Sequence, residues 1–199
     1  MDLLLATTNS GKIRELTGLL AAAGITAYGL PEGMVIEPPR EGGSTFAENA
    51  AIKAAYYARR LDMPVLADDS GLEVAALHGE PGVRSARYGG DETTFDEKMR
   101  LILDRLAETE SSDRKARFVC AAALADRKGN IVNLTIGTCD GSIAEAPFGT
   151  AGFGYDPIFV PDGFDLTFGE LPSEIKDGLS HRSKAIAEML PFLREFLAV

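Results

Sequence analysis

The sequence of 199 residues predicts an α/β protein in which a mixed β-sheet is flanked by helices. In the first half of the chain, short apolar runs alternate with segments whose apolar residues recur every three or four positions, which is typical of strands joined by crossover helices. In the second half, two long strand-like runs flank the turn sequence "DRKGN", which predicts an antiparallel hairpin. A sheet that combines both kinds of connection is mixed.

The first three elements are predicted from the opening of the chain. Residues 3–6 are apolar and indicate a buried strand, and the apolar spacing of a helix begins near Lys12 and ends at residue 23, before Gly24. A second strand is expected near residues 25–30, followed by a loop that contains proline and glycine at residues 31–43.

The middle of the chain is predicted to contain two helices separated by strand-like sequence. Thr45 and Glu48 have the spacing of a capping box, and the helix after them places residues 46, 50, 54, 58 and 61 on one apolar face. The stretch "PVLADDSGLEVAAL" is expected to form a strand, an acidic turn and a second strand. A third helix is expected at about residues 93–109.

The last part of the chain is predicted to contain the hairpin and two further helices. The hairpin turns at about residues 127–130 and is followed by the glycine-rich loop "GTAGFGYDPIF". A short helix is expected near residues 172–177 and a final one from Ser180 onward. Because no linker or low-complexity tract interrupts the chain, residues 1–199 are expected to form a single domain, with two closely joined lobes at most.

The composition argues against several classes of partner. A formal charge of -10 does not suit a nucleic acid or an anionic membrane, since both require basic patches, whereas one nucleotide needs only local lysines and a metal ion. The N-terminal apolar run is too short for a signal peptide and no run approaches a membrane span, so we expect a cytoplasmic protein. Cys120 and Cys139 lack the spacing of a zinc or redox site and are expected to be reduced residues of the core.

The stretch between the first strand and the first helix predicts an anion site. It consists of Thr7, Thr8, Asn9, Ser10, Gly11 and Lys12. A helix N-terminus has unpaired backbone N–H groups and a partial positive charge, so a phosphate is a suitable ligand. The stretch is not a P-loop, because it contains one glycine and Ile13 follows the lysine. A plain helix cap, for which Asn9 or Ser10 would suffice, is the alternative.

An acidic pair follows the apolar residues of "PVLADDSG". Asp68, Asp69 and Ser70 are expected at the carboxyl end of a strand, where α/β sheets usually bind ligands. Adjacent strand residues point to opposite faces, so one carboxylate is expected to face a ligand while the other supports it. Glu41 could join Asp69 on a hard cation such as Mg²⁺, which prefers oxygen ligands and shares them with substrate phosphates. A solvated acidic turn is the alternative.

Two further segments contain candidate binding residues. In "GFGYDP", Phe153 lies between two glycines, and Tyr155 and Asp156 follow, so that the backbone could approach a flat ligand while the ring stacks on it. A tight turn with core aromatic residues would explain the same pattern. In "EIKDGLSHRSKA", the donors are Lys176, His181 and Arg182, with Ser180 a candidate N-cap; a solvated charge run is the alternative. Lys53 is a single lysine on a predicted helix and is not informative by itself.

Taken together, these segments resemble a known family. The motifs "TTNSGK", "TFAENAAIKA", "ADDSGLEV", "PGVRSARYGG", "GFGYDPIF" and "SHRSKA" are similar, in order and in spacing, to those of the inosine/xanthosine triphosphate pyrophosphatases. These house-cleaning enzymes hydrolyse purine nucleoside triphosphates whose base is deaminated. The resemblance extends from residue 3 to about residue 186, and its one noticeable departure is Thr8, where a glycine is common.

The resemblance implies a fold, a site and an assembly. The fold is α/β, with two lobes around a long central sheet and a substrate cleft between them, usually in a homodimer. Thr7 to Lys12 and Lys53 would hold the triphosphate, and Glu41 and Asp69 would bind Mg²⁺, with Asp69 also accepting a proton. The remaining substrate-binding residues implied by the resemblance are Ser70, Phe153, Gly154, Tyr155, Asp156, Lys176, His181 and Arg182.

The implied reaction converts a nucleoside triphosphate and water into the monophosphate and pyrophosphate, with ITP, dITP and XTP as substrates. Attack at the α-phosphorus follows from the resemblance alone, since the residues by themselves allow attack at the γ-phosphorus equally well.

Two other classes of protein are considered for this sequence. A non-catalytic nucleotide sensor is disfavoured because both candidate metal carboxylates are present, and a Nudix hydrolase is disfavoured because its glutamate-rich box is absent from the sequence.

Overall fold

The computed structural model describes residues 3–31, 33 and 36–197, so Glu32, Met34 and Val35 of the predicted loop at 31–43 lie outside the described residues. The strands are β1 (Leu3–Leu5), β2 (Ala27–Gly29), β3 (Val65–Val74), β4 (Lys115–Ala125), β5 (Ile131–Ile143) and β6 (Phe159–Pro161). The α-helices are α1 (Ser10–Ala22), α2 (Phe46–Leu61), α3 (Phe95–Glu108), α4 (Ser173–Leu179) and α5 (His181–Leu197).

The described strands form one six-stranded sheet in the order β2-β1-β3-β4-β5-β6. β1 pairs in parallel with both β2 and β3, whereas β5 pairs with β6 in antiparallel orientation. The turn between β4 and β5 closes with a hydrogen bond from Asp126 N to Asn130 O, 2.9 Å long. The mixed α/β sheet and the hairpin predicted from the sequence are therefore confirmed.

The chain divides into two compact units, each with its own core. The first unit contains residues 1–69, 120–137 and 181–199, and the second contains residues 70–119 and 138–180. In the first unit, the largest fully buried side chains of the core include those of Leu3, Leu5, Leu16, Leu20, Leu66 and Leu124. In the second unit they include those of Leu72, Ile102, Ile143, Phe159 and Phe168.

Local hydrogen bonds explain where α1 and α2 begin. Asn9 is the N-cap of α1, and its side chain accepts from the backbone N–H of Lys12 at 3.1 Å. Thr45 and Glu48 form the predicted capping box at the start of α2, a motif that satisfies two otherwise unpaired backbone donors. The small side chains of Ala50 and Ala54 are fully buried, as the alanine-rich face predicted.

The acidic stretch differs from its prediction. The expected strand–turn–strand is wrong, because β3 continues without interruption from Val65 to Val74 and contains Asp68 and Asp69 in its middle. The two carboxylates do not need a solvated turn, since Lys12 and Lys53 of the same unit neutralise their charges, as described below. The strand can therefore remain extended through two buried acidic residues.

The motif "PGVRSARYGG" forms a short 3₁₀ helix, Gly82–Arg87, in the second unit. Its buried Ser85 accepts a hydrogen bond from Leu72 N at 2.9 Å and donates to Gly82 O at 2.7 Å. Ser85 thus attaches this helix to β3. Elsewhere, Cys120 and Cys139 are buried thiols, as expected, and none of the helices in the described part of the chain has the length and apolarity to span a membrane.

Candidate active site

The opening loop directs Lys12 toward an acidic partner. Thr7 Oγ1 accepts from Asn9 N at 3.2 Å, Asn9 caps α1, and Lys12 follows in the first turn of the helix. Lys12 Nζ lies 2.8 Å from Asp68 Oδ2, with 15% of the lysine side chain exposed. Thr8, where the family often has glycine, does not need the left-handed backbone that favours glycine. In the described part of the chain, the non-glycine residues with positive φ are Asp62 and His78. The loop thus caps the helix and also orients an ammonium group.

Asp68 is the centre of a buried ion network in the first unit. Its carboxylate is fully buried and also lies 3.4 Å from Arg182 Nε, while Arg182 Nη1 lies 2.9 Å from Glu15 Oε2. Burial raises the pKa of Asp68, but the nearby charges of Lys12, Arg182 and Lys53 outweigh this effect and hold the pKa well below its usual range. Asp68 is therefore a permanent carboxylate that holds two cations.

Asp69 and Lys53 form a second ion pair in the same unit. Lys53 Nζ lies 3.0 Å from Asp69 Oδ1 and 3.4 Å from Glu41 Oε1. The other carboxylate oxygen, Asp69 Oδ2, is buried and has no hydrogen-bond partner among the described residues. Burial raises the pKa of Asp69, and the attraction of Lys53 offsets only part of that effect. A carboxylate with one unsatisfied buried oxygen can accept a proton or ligate a cation.

Lys53 remains positively charged in this environment. Burial tends to lower its pKa, but the carboxylates of Asp69, Asp68 and Glu41 raise it above the ordinary value. Among the described residues, no group of three or more His, Cys, Asp and Glu has the arrangement to hold a metal ion by itself. Glu41 and Asp69 are thus two carboxylates that share one lysine, and any cation bound there would need further ligands from elsewhere.

An aromatic and ionic cluster occupies part of the second unit. Lys176 Nζ lies 2.6 Å from Asp156 Oδ2 and 4.9 Å from the centre of the Phe153 ring. Asp156 Oδ2 also accepts from Phe153 N at 2.7 Å, and Phe168 lies under the same ammonium at 5.4 Å. Because the Lys176–Asp156 pair is buried and bonded to the backbone of the GFGYDP loop, it fixes the position of Phe153.

Tyr155 is a buried core residue, unlike the partly buried Phe153 of the same loop. Tyr155 is buried, its hydroxyl donates to Ser85 O at 2.8 Å, and its ring contacts Phe95 edge-on. Burial raises the pKa of its phenol. Gly154 and Ser70 are partly buried. The contacts of Tyr155 are those of a core residue that supports the GFGYDP loop, which is the alternative considered for this segment.

The start of α5 packs closely on β5 in the first unit. A Cβ on Gly137 would lie 2.1 Å from His181 O and 2.4 Å from Ala185 N, so only glycine permits this approach. Thr135 Oγ1 donates to Ala185 O at 2.8 Å and reinforces the same contact. The side chains of His181 and Arg182 are buried as a result. Their segment is fixed to the sheet and is not a solvated charge run.

Sequence reasoning missed two residues of these clusters. Glu15, the partner of Arg182, lies three positions after Lys12, so both occupy one face of α1, and that spacing could have indicated it. Phe168, which contacts Lys176, belongs to no motif, and no sequence signal distinguishes it from other core phenylalanines. Glu15 and Arg182 come from distant segments of the chain, whereas Phe168 and Lys176 are only eight positions apart.

The mixed α/β fold, the paired lysines and carboxylates and the aromatic cluster are features expected of a nucleotide-hydrolysing protein. A comparison with family models matches residues 3–192 to the Ham1 family. The chain belongs to the Ham1 family, and the resemblance inferred from six motifs is confirmed.

Individual relatives agree with this family assignment. The chain is 47% identical over 190 residues to a Thermus thermophilus protein named dITP/XTP pyrophosphatase, covering 96% of this chain and 90% of the relative. It is 44% identical to a Geobacillus kaustophilus protein of the same name, covering 94% and 92%. The solved structure of a HAM1 protein from Coxiella burnetii matches with a TM-score of 0.88 and 39% identity, covering 98% and 99%.

Proposed function

We propose that this protein hydrolyses purine nucleoside triphosphates with a deaminated base, such as ITP, dITP and XTP, to the monophosphate and pyrophosphate. The observation that carries the proposal is the arrangement around Lys53, which contacts Asp69 and Glu41 while one Asp69 oxygen has no hydrogen-bond partner among the described residues. The relatives named dITP/XTP pyrophosphatase supply the substrate class. Such an activity would keep deaminated purines out of DNA and RNA.

The same arrangement suits a divalent metal ion, for which we propose Mg²⁺. A hard cation prefers oxygen ligands, and the buried Oδ2 of Asp69 is an oxygen that has no hydrogen-bond partner in the described part of the chain. Glu41 would be the second carboxylate. When bound, Mg²⁺ neutralises phosphate charge and lowers the pKa of a bound water.

The chain's own residues account for binding and proton transfer in this proposal. Lys12 and Lys53 bind the phosphates, with the donors of the opening loop (Thr7, Thr8, Asn9, Ser10 and Gly11) assisting, because phosphoryl transfer depends mostly on positioning and charge neutralisation. Water attacks the α-phosphorus, the bond between the α- and β-phosphates breaks, and pyrophosphate leaves. Asp69 accepts the proton of the attacking water.

The base is proposed to be recognised by the remaining candidate residues. Phe153 supplies a flat apolar face for a purine, and Asp156 and Lys176 hold that ring in position. Backbone donors of His181 and Arg182 are proposed to meet the 6-oxo group. The other residues proposed to bind substrate are Ser70, Gly154 and Tyr155, the last through the loop that it supports. We also propose a homodimer located in the cytoplasm.

Product analysis tests the proposal directly. The protein is incubated with Mg²⁺ and each of ITP, dITP, XTP, dATP and dGTP in water enriched in ¹⁸O. We expect pyrophosphate and a ¹⁸O-labelled monophosphate from the first three nucleotides, because attack at the α-phosphorus leaves the new oxygen there. Inorganic phosphate and a diphosphate would instead indicate attack at the γ-phosphorus, and absence of turnover with tight nucleotide binding would indicate a sensor; either result contradicts the proposal.

A further inference from the structure

The position of Glu41 depends on a loop rather than on a helix or strand. Glu41 lies before α2 among the described residues 36–45, which form neither helix nor strand, and a quarter of its side chain is exposed. Its Oε1 nevertheless lies 3.4 Å from Lys53 Nζ, on the second turn of α2. A loop carboxylate held so close to a buried lysine requires contacts that fix the backbone around it.

Asn49 provides one such contact. It lies in the first turn of α2, four residues before Lys53, and only 1% of its surface is exposed. Its Oδ1 accepts from the backbone N–H of Gly43 at 2.9 Å, two residues after Glu41. The amide thus connects the face of α2 that contains Lys53 with the loop that contains Glu41.

Gly43 shows how closely the loop approaches the helix. A Cβ at this position would lie 2.6 Å from Asn49 Oδ1 and 2.7 Å from the Cβ of Glu48, closer than real side chains come. Any larger residue would push the loop away from α2. The loop backbone at Gly43 and the side chain of Asn49 are therefore in direct contact, with no space between them for a side chain at position 43.

The bond from Asn49 is not needed to start the helix. The capping box already uses Thr45 and Glu48, and Glu48 also accepts from Ser44 N at 2.7 Å. Asparagine is a weaker helix former than alanine, and a buried side-chain amide costs free energy unless it is hydrogen-bonded. Asn49 thus serves to hold the loop that it binds and is not needed to stabilise α2.

We propose that Asn49 is a positioning residue that holds Glu41 in its metal-binding position beside Lys53. The inference rests on the proposed function, in which Glu41 is a metal carboxylate. Residues that orient a metal ligand through hydrogen bonds commonly change metal affinity or activity by about 10- to 100-fold when they are replaced. Asn49 acts through the backbone of the loop, so its loss and a side chain at Gly43 are expected to have the same effect.

The test uses Asn49→Leu, which removes the acceptor at similar size, Gly43→Ala, which displaces the loop from the other side, and Asn49→Asp, which keeps an acceptor. Thr94→Val is the control for general destabilisation, because it removes the capping box of α3 in the second unit and leaves the loop around Glu41 intact. Two quantities are measured: hydrogen exchange of the amides of residues 41–45, and the Mg²⁺ concentration that gives half the maximal rate of dITP hydrolysis.

We expect Asn49→Leu and Gly43→Ala to speed exchange of the loop amides about tenfold, the effect of losing one ordinary hydrogen bond. We also expect them to raise the half-maximal Mg²⁺ concentration about tenfold or more. Asn49→Asp keeps the acceptor and is expected to leave exchange of the loop amides near that of the wild type, and Thr94→Val is expected to leave both quantities near those of the wild type. In a Glu41→Gln background, Asn49→Leu is expected to add no further shift in the Mg²⁺ dependence, because its effect passes through Glu41.

Unchanged Mg²⁺ dependence in folded Asn49→Leu would overturn the inference, even if exchange of the loop becomes faster. An additive shift in the Glu41→Gln background would overturn it as well, since the effect would then not pass through Glu41. The proposed function fails separately, through a wild-type protein that does not hydrolyse dITP. In that case hydrogen exchange alone decides whether Asn49 holds the loop.

Discussion

Asp68 and Asp69 are consecutive residues of β3, yet their carboxylates contact different lysines. Asp68 Oδ2 lies 2.8 Å from Lys12 Nζ on α1, and Asp69 Oδ1 lies 3.0 Å from Lys53 Nζ on α2. This separation follows from strand geometry, because side chains at successive positions point to opposite faces of a sheet. One strand thus presents an acidic group to each of two helices.

The two environments shift the pKa values of these carboxylates in opposite directions. Both are buried, which raises a carboxyl pKa, but Asp68 has the charges of Lys12 and Arg182 close by and its pKa falls. The pKa of Asp69 rises despite Lys53. Two carboxylates whose surroundings separate their pKa values are suited to different roles. Asp68 is suited to a structural charge, and proton transfer is the role that we propose for Asp69.

The first prediction concerns Asp69→Asn. We expect turnover of dITP to fall by at least about 10² to 10³, the usual cost of losing one transition-state electrostatic contact, because the change removes both a metal carboxylate and the proposed base. The fold is expected to survive, since Lys53 keeps Glu41 at 3.4 Å. The measurement is kcat with circular dichroism of the same sample, and Asp140→Asn, an exposed carboxylate of the second unit, is the control. Wild-type turnover in folded Asp69→Asn would remove this residue from the mechanism.

The second prediction concerns stability and Asp68→Asn. Removing the carboxylate leaves the buried Arg182 and Lys12 without one partner, and breaking a buried ion pair costs about 3 to 5 kcal/mol. We expect the free energy of unfolding at pH 7 to fall by about that amount. Urea denaturation of the wild type and the variant measures it.

The pH dependence of this difference has a definite sign. The folded pKa of Asp68 is lowered, so its contribution to stability is present above the unfolded pKa of about 3.9 and is lost as pH falls toward the folded pKa. The gap between wild type and Asp68→Asn is therefore expected to be full above about pH 5 and smaller at pH 3. A gap that stays constant or widens at pH 3 would show that the carboxylate is not stabilised by these cations.

Much of the fold could be predicted because its signals are local. The capping box of Thr45 and Glu48, the alanine-rich face of α2 and the turn at residues 126–130 each depend on residues within a few positions of one another. The central acidic stretch could not be predicted in the same way. Whether Asp68 and Asp69 form a turn or continue a strand depends on Lys12 and Lys53, which approach only in the folded chain.

The candidate site shows the same limit. Residue types and motif order indicated phosphate donors, carboxylates and a stacking ring, and the family assignment agrees with them. The partners of these groups were not predicted. Glu15 is distant in sequence from Arg182, and Phe168, which contacts Lys176, belongs to no motif. Asn49 lies within the motif TFAENAAIKA, but its contact with Gly43 is seen only in the folded chain. The candidate binding residues could thus be recognised from the sequence, whereas the contacts that position them were identified from the structure.

The third prediction separates phosphate binding at Lys12 from simple helix capping. We expect Lys12→Ala to raise KM and lower kcat for dITP, because a phosphate contact strengthens as charge develops on the leaving pyrophosphate, with kcat/KM falling about 10²-fold. Asn9→Ala is the matched variant, since it removes the cap but keeps the ammonium, and is expected to cost about 1 kcal/mol of stability with a smaller kinetic effect. Unchanged kinetics in folded Lys12→Ala would mean that the opening loop is only a helix cap.

The last prediction concerns the base. Inosine presents a 6-oxo acceptor where adenosine presents a 6-amino donor, so backbone donors near the start of α5 would be left unsatisfied by adenine at about 1 to 3 kcal/mol each. A site built to hydrogen-bond one group can reject an analogue by about 10⁴, far more than an apolar pocket achieves by shape.

The Arg182 guanidinium bonds Glu15 at 2.9 Å and Asp68 at 3.4 Å, so it secures the start of α5, where the proposed backbone donors lie. We therefore expect Arg182→Ala to reduce the ratio of kcat/KM for dITP to that for dATP, and also to lower the free energy of unfolding.

Phe153→Ala is the contrasting variant, because a stacking ring contacts any purine alike. It is expected to lower kcat/KM for both nucleotides by a similar factor. Steady-state kinetics of both variants on dITP and dATP show which of the two residues determines the preference for dITP. If folded Arg182→Ala retains the full dITP-to-dATP preference, Arg182 does not position the discriminating donors, and if Phe153→Ala alone narrows that preference, the aromatic ring selects the base.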